Sequence, residues 1–87
     1  MHVIIAYDIG MERLHRVYLI MKQYLNWIQN SAFEGDLSLS QLEELKIKVL
    51  EVIDEEKDSI VVFLISNPSW IEKRVWGKEK GPTDSIV

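Results

Sequence analysis

Asp8 occupies the position in this chain that most invites chemistry. It closes the run Val3-Ile4-Ile5-Ala6-Tyr7. A carboxylate at the end of so apolar a run is costly unless it is hydrated, paired or bound to a cation. It can cap the turn into the next element, or it can hold a metal. One carboxylate makes a poor metal site, but a twofold axis brings the same residue of two chains together. Mg²⁺ commonly takes one or two protein carboxylates and completes its shell with waters and phosphate oxygens. Such an ion polarises a phosphodiester and turns bound water into hydroxide. Arg13 and Arg16 follow on a predicted helix, where their planar forks suit phosphate but are equally ordinary surface charges. His15 reads as a surface histidine with no general-base role. Tyr7 lines either the core or the site. Ser31 and Phe33 share one face of a later extended segment; the hydroxyl can meet phosphate, and the ring can stack on a base or pack in an interface. Trp70, Lys73, Arg74 and Trp76, with Lys78 and Lys80 beyond, mix aromatic and basic groups, as a nucleic-acid surface or a docking segment does. Docking, to a second protomer or to a larger partner, is the preferred reading.

The absences narrow the field. There is no cysteine, which excludes disulfides and thiolate metal sites. No nucleophile elbow, phosphate-binding glycine loop, zinc cluster or dinucleotide fingerprint is present.

These residues need elements to position them. His2–Asp8 reads as a strand buried on both faces, and Gly10 as the flexible residue of the turn that follows. Glu12 to about Leu25 reads as a helix, with Leu14, Val17, Tyr18, Met21 and Leu25 on one face. From Trp27 to Asp36 the apolar residues do not keep to one face, which implies two short strands with a break near Asn30-Ser31. Ser38 to about Ile53 is a second helix. Ser38 with Gln41, or Ser40 with Glu43, forms its capping box, and Leu42, Leu45, Val49, Val52 and Ile53 form its buried stripe. Glu51, Asp54, Glu55, Glu56 and Asp58 read as a solvated acidic end. Ser59–Ile65 is a central strand, since Ile60–Ile65 is an unbroken apolar run. Asn67-Pro68-Ser69 turns the chain, and Trp70–Trp76 alternates as an edge strand does. From about residue 77 the chain reads as a mobile or partner-bound tail.

The order β-α-β-β-α-β plus one trailing strand is an α+β, ferredoxin-like plan with both helices on one face of a sheet. Nothing in the chain covers the other face, so a second protomer, sheet to sheet, is the expected cover, and the trailing strand could pair across to it. With 87 residues this is a single domain with a thin core of its own, a weak argument in the same direction. No stretch has the roughly 20 apolar residues needed to cross a bilayer, and the first residues lack a basic leader, so a cytoplasmic protein is expected. The net charge is −4, unlike most nucleic-acid-binding domains. The acidity is concentrated, however: eight acids face three bases between Asp36 and Ser59. Both ends remain able to present basic groups.

Tyr7-Asp8-Ile9, Arg16-Val17 and the stretch Ile28-Gln29-Asn30-Ser31-Ala32-Phe33-Glu34-Gly35-Asp36-Leu37 resemble the CRISPR-associated protein 2 family, as do Leu42-Glu43-Glu44-Leu45 and Asp58-Ser59-Ile60-Val61. The resemblance runs in order from the first residue to about Ile65. It implies a homodimer packed sheet to sheet, with Asp8 of each protomer on a shared Mg²⁺. It implies endonuclease activity on single-stranded RNA or double-stranded DNA, and a role bridging two dimers of the CRISPR integrase subunit in spacer acquisition, with the trailing strand and tail making the partner contacts. Trp27 stands where some relatives carry a basic residue, Leu14 where some carry arginine, and Asn30 where tyrosine is common; the first two lower the positive charge near the site. Three other readings remain: a non-catalytic architectural subunit, a toxin-type ribonuclease of the virulence-associated protein D family, and a regulatory domain binding a small ligand at its dimer interface.

Overall fold

The computed structural model describes residues 1–80. The elements are β1 (His2–Asp8), α1 (Met11–Lys22), β2 (Asn26–Gln29), β3 (Ala32–Asp36), α2 (Leu39–Leu50), β4 (Ser59–Asn67) and β5 (Trp70–Gly77). They build one five-stranded sheet in the order β2-β3-β1-β4-β5, with every neighbouring pair antiparallel. This is the expected ferredoxin-like α+β plan with an added edge strand. The break at Asn30-Ser31 is a tight hairpin turn: Gln29 pairs with Ala32, and Asn30 adopts a left-handed φ of 47°. Asparagine tolerates that conformation better than most residues. Ser38 caps α2, its hydroxyl accepting from the Gln41 amide at 3.1 Å while the Gln41 side chain accepts from the Ser38 amide at 2.9 Å.

Side chains alternate strictly along β1 and β4, and that alternation defines two faces. Val3, Ile5 and Tyr7 of β1, Phe33 of β3, Ile60, Val62 and Leu64 of β4, and Trp76 of β5 are buried under Val17 and Met21 of α1 and Leu42, Leu45 and Val49 of α2. β1 is thus not buried on both faces within one chain. Ile4 and Ala6 pair with Phe63 and Val61 on the opposite face, where Ala6 is exposed and the other three are half-buried. Ile65 and Val75 extend this apolar face, which no element among the described residues covers.

β5 pairs with β4 of its own chain over its whole length, from Ser59↔Gly77 to Asn67↔Trp70. The chain therefore fills the β4 edge with its own strand. The tail is not free from residue 77: Gly77 ends β5, and the Lys78 amide donates to the Asp58 carbonyl at 2.7 Å. The rest of the expected tail, residues 81–87, lies outside the described residues.

Candidate functional site

Asp8 ends β1 on the uncovered face, opposite Ser59 in register. Its carboxylate is 69% exposed and carries the Lys80 ammonium in a direct ion pair. Ala6, Val61 and the buried Ser59 complete a shallow depression of about 220 Å³ around the pair. Among the described residues no three His, Cys, Asp or Glu side chains come together as metal ligands. A single chain therefore offers a divalent ion one carboxylate, at a position that already attracts a cation. The donor set suits Mg²⁺ better when doubled across an axis.

Asp58 holds the turn that carries Asp8 in place. Its side chain is buried, 1% exposed, and accepts four hydrogen bonds. Oδ1 accepts from the Gly10 amide and from Arg13 Nη2, both at 2.9 Å; Oδ2 accepts from Arg13 Nε at 2.5 Å and from the Asp54 amide at 2.8 Å. The bidentate guanidinium, followed by the Asp54 and Gly10 amides, holds the Asp58 carboxyl well below the usual carboxylate range and outweighs the opposing effect of burial. The same bond raises the Arg13 pKa. Two expectations are corrected here. Asp58 is not part of a solvated acidic end, and Arg13 does not line a phosphate site, because its charge is spent inside the chain. A carboxylate one residue before the apolar run of β4 was the available sign. Gly10, in the turn, has a φ of −56°, open to any residue. A Cβ there would meet the Arg13 guanidinium on its way to Asp58 and the Glu12 carboxylate, so glycine leaves both side chains free to take these places.

The remaining residues expected near Asp8 lie elsewhere. Tyr7 points to the helix side, where Phe33 stacks beneath it at a centroid distance of 6.1 Å. Burial, and secondarily Tyr18, raises the Tyr7 pKa above its ordinary value. Phe33 is fully buried, which makes it core and excludes both base stacking and a protomer contact. Ser31 shares a cavity with Tyr7 on this side of the sheet. Arg16 is exposed on α1, and at about 100° per residue it points roughly 150° around the helix from the Met11–Tyr18 stripe that faces that cavity. The docking set divides in the same way. Trp70 is 63% exposed, and Lys73 lies on the uncovered face beside Phe63. Arg74 pairs with Glu72 at 2.8 Å. Trp76 is 4% exposed in the chain's own core against Ile60 and is not available for docking.

Residues 1–73 match the family model described as CRISPR associated protein Cas2. The chain belongs to the Cas2 family. It is 44% identical over 80 residues to "CRISPR-associated endoribonuclease Cas2 2" of Archaeoglobus fulgidus, covering 92% of this chain and 87% of that protein. It is 38% identical to "CRISPR-associated endoribonuclease Cas2" of Thermococcus kodakarensis, with both chains matched end to end. Among solved structures, one described as "Crystal structure of cas2" superposes with a TM-score of 0.74 at 38% identity, covering 95% of this chain and 93% of the other. Cas2 of Streptococcus pyogenes superposes with a TM-score of 0.69 at 30% identity over 76% of this chain and 87% of its own. No helix among the described residues of this Cas2 family member is long and apolar enough to cross a membrane.

Proposed function

We propose that this chain is a divalent-metal-dependent endonuclease that acts as a homodimer on RNA or DNA, with Asp8 of each protomer holding one shared ion. The observation that carries the reading is the placement of Asp8. It is an exposed carboxylate at the end of a central strand, on the sheet face that the described residues leave apolar and uncovered. Apolar surface of this kind favours association, and a twofold axis near the end of β1 would bring two copies of Asp8 together. Bound there, the ion supplies Lewis acidity to a phosphodiester and a hydroxide from water. The chain's own contribution is to hold each Asp8 at a fixed height: Asp58 pins Gly10, and the β1–β4 register pins Asp8 itself. Lys80 neutralises Asp8 until a metal displaces it. The names of the relatives, endoribonucleases of CRISPR systems, support RNA as a substrate.

A second reading is a structural subunit of the spacer-acquisition complex that bridges integrase dimers. One observation favours it. Arg13 is committed to Asp58 and Arg16 points away, so neither arginine stands beside Asp8 as a phosphate clamp. Labelled single-stranded RNA and double-stranded DNA, incubated with wild type and Asp8→Ala, with Mg²⁺ and with chelator, separate the two. Cleavage that requires both Asp8 and Mg²⁺ supports the nuclease, and the substrate cut names the nucleic acid. No cleavage, or equal cleavage by the variant, refutes a catalytic Asp8 and leaves the structural subunit.

A further inference from the structure

On the helix side of the sheet, α1 and the β2–β3 hairpin enclose a cavity of about 410 Å³. We propose that this cavity binds one unstacked nucleobase of a single-stranded nucleic acid, a reading that rests on nucleic acid being the ligand of this chain. Four of its wall residues carry rings: Tyr7, His15, Tyr18 and Trp27. Every base has a π-face, and aromatic walls bind bases with little regard to sequence. The rings are set in place before any ligand arrives. Trp27 Nε1 donates to the Asn30 carbonyl at 2.9 Å. Tyr18 packs on Phe33 at 5.7 Å and on His15 at 6.3 Å, and Tyr7 stacks on Phe33. A preorganised wall loses little entropy on binding.

The rest of the cavity separates a nucleobase from a partner's apolar side chain. Asn30 and Ser31 form a polar wall able to meet the donors and acceptors of a base edge. The Lys22 ammonium lies 5.5 Å from the Tyr18 ring centroid, within reach of a flanking phosphate. A purely apolar partner would need none of these groups. The volume falls at the small end of the range for sites of small organic molecules. Trp27 is 52% and Met11 89% exposed, so large apolar groups at the rim stand open to solvent. The uncovered sheet face lies on the other side, so a dimer formed there leaves the cavity accessible. Tyr7 and Asp8 are consecutive and point to opposite faces, so one strand end carries both the base cavity and the carboxylate.

The test uses the full chain and a short single strand with one central 2-aminopurine, whose fluorescence falls when the base stacks. RNA, DNA of the same sequence and the matching duplex are titrated in parallel. Quenching is expected on a single strand and not on the duplex, and the single strand that binds tighter identifies the nucleic acid. Trp27→Ala should weaken single-strand binding about 5- to 150-fold. Trp27→Phe should restore most of it. Ile47→Ala, at an exposed site on α2, should leave it unchanged. Circular dichroism of the Trp27 variants confirms that the fold persists. Single-strand affinity unmoved by Trp27→Ala, with wild type still binding, overturns the base cavity alone and leaves a partner's side chain as its occupant. Wild type that binds none of the three overturns the nucleic-acid reading as well.

Discussion

Replacing Asp58 by asparagine tests the central structural argument, because the geometry dictates how many interactions are lost. Each carboxylate oxygen accepts two hydrogen bonds, Oδ1 from Gly10 and Arg13 Nη2, Oδ2 from Arg13 Nε and Asp54. Whichever oxygen becomes the amide nitrogen, two donors then face a donor. Hydrogen bonds to a charged acceptor contribute about 1.5–3 kcal/mol each. Removing one partner of a buried ion pair costs about 3–5 kcal/mol. Arg13 is 19% exposed and recovers part of its hydration, so a loss of about 3–4 kcal/mol is expected, a large share of the marginal stability of so small a domain. With a urea m-value of about 2 kcal/mol/M, the unfolding midpoint should fall by about 2 M at fixed protomer concentration. The effect carries a pH signature. The Asp58 pKa is depressed by folding, so its contribution is fully present above the unfolded carboxylate value of about 3.9 and is lost as the pH falls from there toward the folded value. The gap between wild type and Asp58→Asn should therefore be constant above about pH 5 and shrink in acid. A midpoint within about 0.3 M of wild type at neutral pH would refute the claim that this network holds the β1–α1 turn.

Two further outcomes are expected. Gly77 has a φ of +84°, and a Cβ there would stand 2.5 Å from the Asp58 carbonyl oxygen, so Gly77→Ala combines left-handed strain with a backbone clash. It should lower Tm by at least about 8 °C in a thermal melt, and an unchanged Tm would show that the backbone relaxes freely there. Asp8→Asn removes like charges that face each other across the proposed axis, and it should tighten the metal-free dimer several-fold at low salt in sedimentation equilibrium. The Lys80 partner of each carboxylate limits the gain, and a weaker dimer would count against the paired arrangement.

Most of the fold was legible in the residues. The Val3–Tyr7 run, the 3.6-residue stripes of both helices, the Ser38 capping box and the Asn30-Ser31 break are short-range signals, and each produced the element it announced. The site was less legible. Tyr7, Arg13, Arg16, Ser31 and Phe33 were expected to gather around Asp8; instead Tyr7 and Ser31 share a cavity on the helix side, Phe33 lies beneath it, Arg13 serves Asp58, and Arg16 faces solvent. Lys80 on Asp8 and the aromatic wall around Tyr18 and Trp27 were not foreseen at all.

The sequence by itself determined the order of the elements and the class of fold, because periodicity, capping and turn preference act within a few residues of each position. Tertiary structure alone decided which charges are spent and which remain available. Arg13 meets Asp58 at a sequence separation of 45, and Lys80 meets Asp8 at a separation of 72. Those meetings depend on the β1–β4 and β4–β5 registers, in which a slip of one residue would turn every side chain to the other face. The same alternation places Asp8 on the bare side of the sheet while its neighbour Tyr7 lies on the covered side.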